Sequence, residues 1–144
     1  MKRMMVIASL LLAGGLAYVM WPAENQDRQT ASMTTNVSSV MTDVILPEVL
    51  SENALIGKRA FEASCASCHG TNAAGQEGVA PPLIHKIYEP SHHGDESFQR
   101  ASALGVRAHH WRFGDMPAVE GITRGEVTFI ITYIRELQRA NGIH

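Results

Sequence analysis

Cysteine is scarce in this chain: Cys65 and Cys68 are the only two in 144 residues. That count excludes a disulfide framework, because small stapled domains carry four, six or eight. Basic runs are missing as well. Lys and Arg number 12 against 14 Asp and Glu, for a formal net charge of −2. No stretch interleaves aromatics with Lys and Arg, which excludes a nucleic-acid surface of the usual kind. Long apolar runs are confined to one place, Met4 to Trp21. The length fits one domain with appendages.

That apolar run follows Lys2 and Arg3, a short positive start. It is uncharged for 18 residues, enough to cross a bilayer core, which takes about 17–25. Tyr18 and Trp21 suit the far interface, with the basic pair holding the N-terminus in the cytoplasm. We read residues 1–21 as a membrane anchor. The alternative is a cleaved signal, with Gly15-Leu16-Ala17 as a fair cleavage site. Either way the rest of the chain lies outside the cytoplasm. Residues 22–50 are rich in Ser, Thr, Asn and Gln without apolar periodicity, and read as a flexible polar tether. It either lets an anchored head reach a partner or is a plain spacer.

What the two cysteines do is set by their surroundings, Cys65-Ala66-Ser67-Cys68-His69. C-x-x-C-H is the attachment pattern of a c-type haem. In a helix the thiols lie about one turn apart, a fit for the two haem vinyl groups, and the adjoining imidazole of His69 suits the proximal iron site. The plainer readings are a C-x-x-C redox pair or half of a zinc site. Zinc needs two more ligands at suitable spacing, and a thioredoxin-like pair wants a βαβ context, whereas the flanks here look helical. Attachment of haem is the expectation, and in bacteria it takes place on the periplasmic side.

The haem domain is expected over residues 51–144. It is small for a self-sufficient core, so a covalent haem would be structural as well as functional. Ser51 caps a helix that runs to Ser64, with Gly57 and Phe61 on one face. After the motif, Gly70, Gly75 and Gly78 mark a loop. Pro81 and Pro82 then forbid helix and remove two donors. The Pro81 carbonyl is the candidate acceptor for the second N–H of His69, and Leu83 is placed against the haem. Asp95 is expected to cap a helix carrying Phe98, Ala101 and Leu104 and ending at Gly105. Met116, between Gly114 and Pro117, lies where helix is excluded, so its thioether can be offered as the sixth iron ligand; a core methionine is the alternative. Trp111 can donate its indole N–H to a propionate, and Arg107 or Arg112 can neutralise one. Thr123 and Glu126 form a capping box for a last helix with Val127, Ile130, Ile131, Ile134 and Leu137 on one stripe, ended by Gly142. It is expected to cross the first helix at Gly57.

Two histidine pairs remain, His92-His93 and His109-His110. They are either surface or propionate-contacting residues or a second metal site for copper or zinc. Neighbours in a helix diverge, so neither pair chelates alone.

Together these residues resemble the class I monohaem cytochromes c, over about Ser51 to Gly142. Gly57 and Phe61 are similar to that family's first-helix Gly-x-x-x-Phe. Cys65, Cys68 and His69 match the attachment motif, Pro81 and Leu83 its Pro-x-Leu, and Met116-Pro117 its axial methionine. Trp111 resembles the propionate-contacting tryptophan of small bacterial members. The histidine pairs, the anchor and the tether depart from the pattern. The resemblance implies an all-α fold of three or four helices around one covalent haem c. It also implies a periplasm-facing one-electron carrier with His69 and Met116 as axial ligands, not an enzyme. Partners would be periplasmic or membrane redox proteins. Without Lys2 and Arg3, ten basic side chains face 14 acids, which gives only weak, salt-screened steering. From other classes, a peroxidase-like haem enzyme (or its electron-entry subunit) needs an open sixth position with His109 or His110 as acid–base group. A ligand sensor needs a weak sixth ligand.

Overall fold

A computed structural model of the protein describes residues 39–144. The expected anchor, residues 1–21, and residues 22–38 of the expected tether lie outside the described residues. Four helices carry the domain: α1 (Glu52–Ser64), α2 (Ala66–His69), α3 (Asp95–Leu104) and α4 (Arg124–Ala140), with 3₁₀ turns at Thr71–Ala73 and Lys86–Tyr88. Among the described residues there is no β-strand, only isolated bridges, as an all-α class requires. No helix among them is long and apolar enough to cross a membrane.

Ser51 opens α1 as its N-cap, accepting from the Ala54 N–H at 3.1 Å. Its own hydroxyl donates to Glu136 Oε1 of α4 at 2.6 Å, so the cap also joins the first and last helices. The buried face of α1 is Ala54, Gly57 and Phe61, spaced three and four apart as one side of a helix demands. Leu55 and Ile56 point outward and stay exposed. The capping box of α4 is complete: Thr123 accepts from the Glu126 N–H, and Glu126 accepts from the Thr123 N–H at 2.8 Å. The stripe Val127, Ile130, Ile131, Ile134 and Leu137 is buried. α1 and α4 meet at Gly57, where an added Cβ would stand 1.9 Å from the Phe129 carbonyl oxygen. Glycine is thus required for the crossing, and its helix cost of about 1 kcal/mol is offset by the packing it admits. Phe61 and Tyr133 fill the crossing, ring centroids 5.8 Å apart, and each buried side chain of that size contributes about 1.5–3 kcal/mol.

Two long polar side chains of α4 are buried beside this core, and both are matched. Gln138, fully buried, donates to the carbonyls of Leu83 and Tyr88 at 2.9 and 3.0 Å. Arg135 donates to Gln138 Oε1, to the Tyr88 and His93 carbonyls at 2.7 and 2.6 Å, and to Asp95 Oδ1 at 2.9 Å. Its guanidinium also lies over the Phe98 ring. Two side chains of α4 therefore hold the irregular segment 83–93 in place.

Three expectations need correction. Gly94, not Asp95, is the N-cap of α3. Asp95 is its first residue, and its carboxylate is taken by the buried Arg135 instead of the helix end. Leu104 is 76% exposed; the buried residue of α3 is Gln99, which donates to the Arg124 carbonyl and Thr128 Oγ1. The tether also ends earlier than expected. Within residues 39–50, Glu77 N–H donates to the Ser39 carbonyl, Thr42 N–H to Ala74, and Ile45 exchanges two hydrogen bonds with the Asn141 side chain. Val44 and Leu50 pack on the core. This stretch is a strap laid on the domain by backbone pairing, which needs no apolar periodicity.

Candidate functional site

The attachment segment sits where α1 breaks into α2. Cys65 ends α1 with its N–H on the Phe61 carbonyl, and His69 N–H bonds the Cys65 carbonyl at 2.9 Å. Cys65, Cys68 and His69 thus share one helical turn, with both thiols free. Burial, and then the neighbouring Cys68, push the Cys65 thiol up to about 11. A redox-active pair has the opposite signature, a thiol brought below its ordinary value. The C-x-x-C redox alternative therefore has no support here.

His69 is buried at 8% exposure, and its Nδ1 lies 2.9 Å from the Pro81 carbonyl. A carbonyl only accepts, so Nδ1 carries the proton and Nε2 keeps its lone pair. Burial lowers the imidazole pKa, partly countered by that hydrogen bond, which keeps the ring neutral and able to ligate a metal. The loop that brings Pro81 beneath the ring is tight. Gly75 N–H donates to the His69 carbonyl at 2.7 Å, and a Cβ on Gly75 would lie 2.5 Å from Pro82 N. Its φ of +77° suits only glycine without strain. Gln76 was not singled out by its sequence context. Its Nε2 lies 2.8–3.3 Å from the carbonyls of Ala66, Ser67 and Cys68, clamping the end of α2.

Leu83 belongs to the core cluster with Phe61, Ile84 and Tyr133, its N–H on the Ala73 carbonyl. Met116 closes a second loop. It exchanges two backbone hydrogen bonds with Val106, both 2.9 Å, and Gly105 lies so close that a Cβ there would meet the Met116 carbonyl at 2.5 Å. Asp115 Oδ1 accepts from Ala108 N–H inside the same loop. Met116 is half-buried on this pinned, extended backbone.

Trp111 lies within that loop, edge-on to His85 and stacked on Phe113. Burial raises the Tyr88 phenol, with the Trp111 indole as a weak offset, yet the two do not reach hydrogen-bond geometry. Among the described residues, Trp111 Nε1 is the buried side-chain polar atom without a partner. A donor left so costs about 1–3 kcal/mol. It is the feature a haem carboxylate would satisfy, and with two free thiols and a neutral, lone-pair-bearing histidine it makes the residues fit the group.

The histidine pairs come together. His92 and His110 rings lie 5.3 Å apart, His93 and His110 5.2 Å, and His109 and His110 4.2 Å. Partial desolvation, then repulsion from the other three, lowers the His110 pKa. His109 and His110 are both exposed.

A helix-borne C-x-x-C-H with its histidine backed by a proline carbonyl defines a protein that carries covalent haem c and transfers electrons through it. The family model for cytochrome c matches residues 54–138, and the chain belongs to that family. No curated protein and no solved structure matches it. Family membership gives the covalent haem c, and redox proteins as the general kind of partner.

Proposed function

We propose that the protein is a one-electron carrier, not an enzyme, with one haem c joined to Cys65 and Cys68 and its iron held between His69 and Met116. Bound there, the haem supplies a ferrous–ferric couple whose potential a thioether ligand raises. The observation that carries the reading is the His69 imidazole, neutral and oriented by the Pro81 carbonyl, which leaves Nε2 as an electron-pair donor. Met116 is supported by its fixed extended backbone beside Val106. A side chain on a rigid loop needs little rearrangement when the charge of the site changes. Trp111 Nε1, without a protein partner, is suited to a propionate. Leu83 and Pro81 would shield the proximal side. His109 and His110, the rival sixth ligands, are drawn into the group with His92 and His93, which favours Met116.

We read residues 1–21 as the anchor and residues 22–38 as the tether that place this domain on the periplasmic face of the inner membrane, near membrane or periplasmic redox partners. The apolar run of the sequence supports this.

A redox titration of the full chain, matured with haem and recovered by fractionation, tests both parts. The expected result is a single one-electron Nernst curve, about 59 mV per decade, from protein in the membrane fraction with Met1 retained. Peroxide turnover by the ferric protein would overturn the carrier. A soluble protein beginning after Ala17 would overturn the anchor alone.

A further inference from the structure

Four of the six histidines outside the haem motif lie in two pairs 17 residues apart, yet they form one group. Ligand nitrogens of His92, His93 and His110 all lie within 4.8 Å of one another. We propose that these three imidazoles form a second metal site, for a divalent transition metal of the copper(II) or zinc type. The proposal rests on Met116, not His110, being the sixth iron ligand, and the haem absorption of the variant below separates the two.

Neither pair could do this alone, because each offers only two imidazoles; the fold supplies the missing ligand by bringing the 92–93 turn against the 106–116 loop. The donor chemistry is specific. Three imidazoles with no carboxylate suit copper or zinc and are poor for magnesium or calcium. One of the three is already arranged as metal-binding histidines are, with the second ring nitrogen held by an acceptor. His93 Nδ1 lies 2.6 Å from the Ile87 carbonyl, so it must donate and Nε2 is free. His109 is arranged alike, its Nδ1 2.8 Å from the Arg107 carbonyl, and its ring stacks on His93 at 28°. It stands by as a fourth ligand.

Both supports are firm. The His93 carbonyl is gripped by Arg135, and the N–H groups of His92 and His93 both bond the Glu89 carbonyl. The other loop is closed by the Val106–Met116 pair. Ligation needs each nitrogen about 2.0–2.1 Å from the ion, so any gap left within the 4.8 Å separation must close. His92 and His110 are exposed, so rotation of their side chains brings them in without moving either backbone. An ion there would brace the loop that carries Met116 against the turn that Arg135 holds.

Untagged, haem-loaded protein is titrated by calorimetry with copper(II) and, separately, with zinc, and the copper form is examined by EPR. The expected result is one equivalent of either metal, copper the tighter as the Irving–Williams order requires, with nitrogen hyperfine structure from imidazoles. Losing even an outer-shell partner weakens a site by 10–100-fold; a His92→Asn, His110→Asn chain should therefore lose about 100-fold or more, with its haem absorption unchanged, whereas His144→Asn should bind as the parent does. Equal affinity in the double variant and the parent, or an EPR signal without nitrogen coupling, would overturn the site.

Discussion

A chain with Cys65→Ser and Cys68→Ser is expected to emerge without covalent haem and with most of its helical ellipticity gone. A domain of this size buries only about 60–70% of the surface its unfolded chain exposes. The buried apolar set is short, and much of it is the α1–α4 crossing around Phe61, Tyr133, Ile134 and Leu137. Trp111 Nε1 would keep its unmatched burial. Small domains hold about 5–15 kcal/mol in all, and the loss of so large an apolar group from the core is of that order. Far-UV circular dichroism beside a haem stain of a denaturing gel measures both effects. A haem-free chain with full ellipticity and a cooperative urea transition would show the protein core to be sufficient by itself.

Gly57→Ala should cost the haem-loaded protein heavily, because its methyl would meet backbone more closely than at any other glycine among the described residues. The new carbon would lie 1.9 Å from the Phe129 oxygen and 2.4 Å from its carbonyl carbon. Both are backbone atoms of α4 and cannot rotate aside, so the helices must part. Overpacking costs about 1–3 kcal/mol in ordinary cases, and this one lies at or above the upper end. The gain in helix propensity, about 1 kcal/mol, leaves a net loss on the order of 2 kcal/mol, or roughly 8–16 °C in Tm. Gly125→Ala is the matched control: its Cβ would meet nothing nearer than Thr123 Oγ1 at 3.9 Å, so its Tm should hold or rise. Equal behaviour of the two variants would mean that the helices do not cross closely at Gly57.

Much of the architecture was legible because it rests on local chemistry. Ser51, the Thr123–Glu126 box and the apolar stripe of α4 each act within one helix, and Gly57 announced a close neighbour by being a helical glycine. The hydrogen bond from His69 to Pro81 followed from a ligand that needs an acceptor and a proline segment that has carbonyls to spare. What sequence did not carry were features made by distant segments. The strap at residues 39–50 is held by backbone groups and by Asn141, which leave no periodic pattern. Gln99, Arg135 and Gln138 carry no mark of burial in the sequence until the segments they satisfy are placed beside them. Asp95 looked like a cap because its buried cation lies 40 residues away. The histidine pairs could be seen as unusual, but their convergence depends on two loops meeting.

The central claim is that Met116 completes the iron site opposite His69. It is tested most directly by the absorption spectrum of the ferric haem-loaded protein beside that of Met116→Ala. The account predicts low-spin iron with the weak far-red sulfur-to-iron charge-transfer band in the parent, and its disappearance in the variant. High-spin iron without that band in the parent would contradict it. So would a spectrum indifferent to Met116→Ala but altered by His109→Ala or His110→Ala.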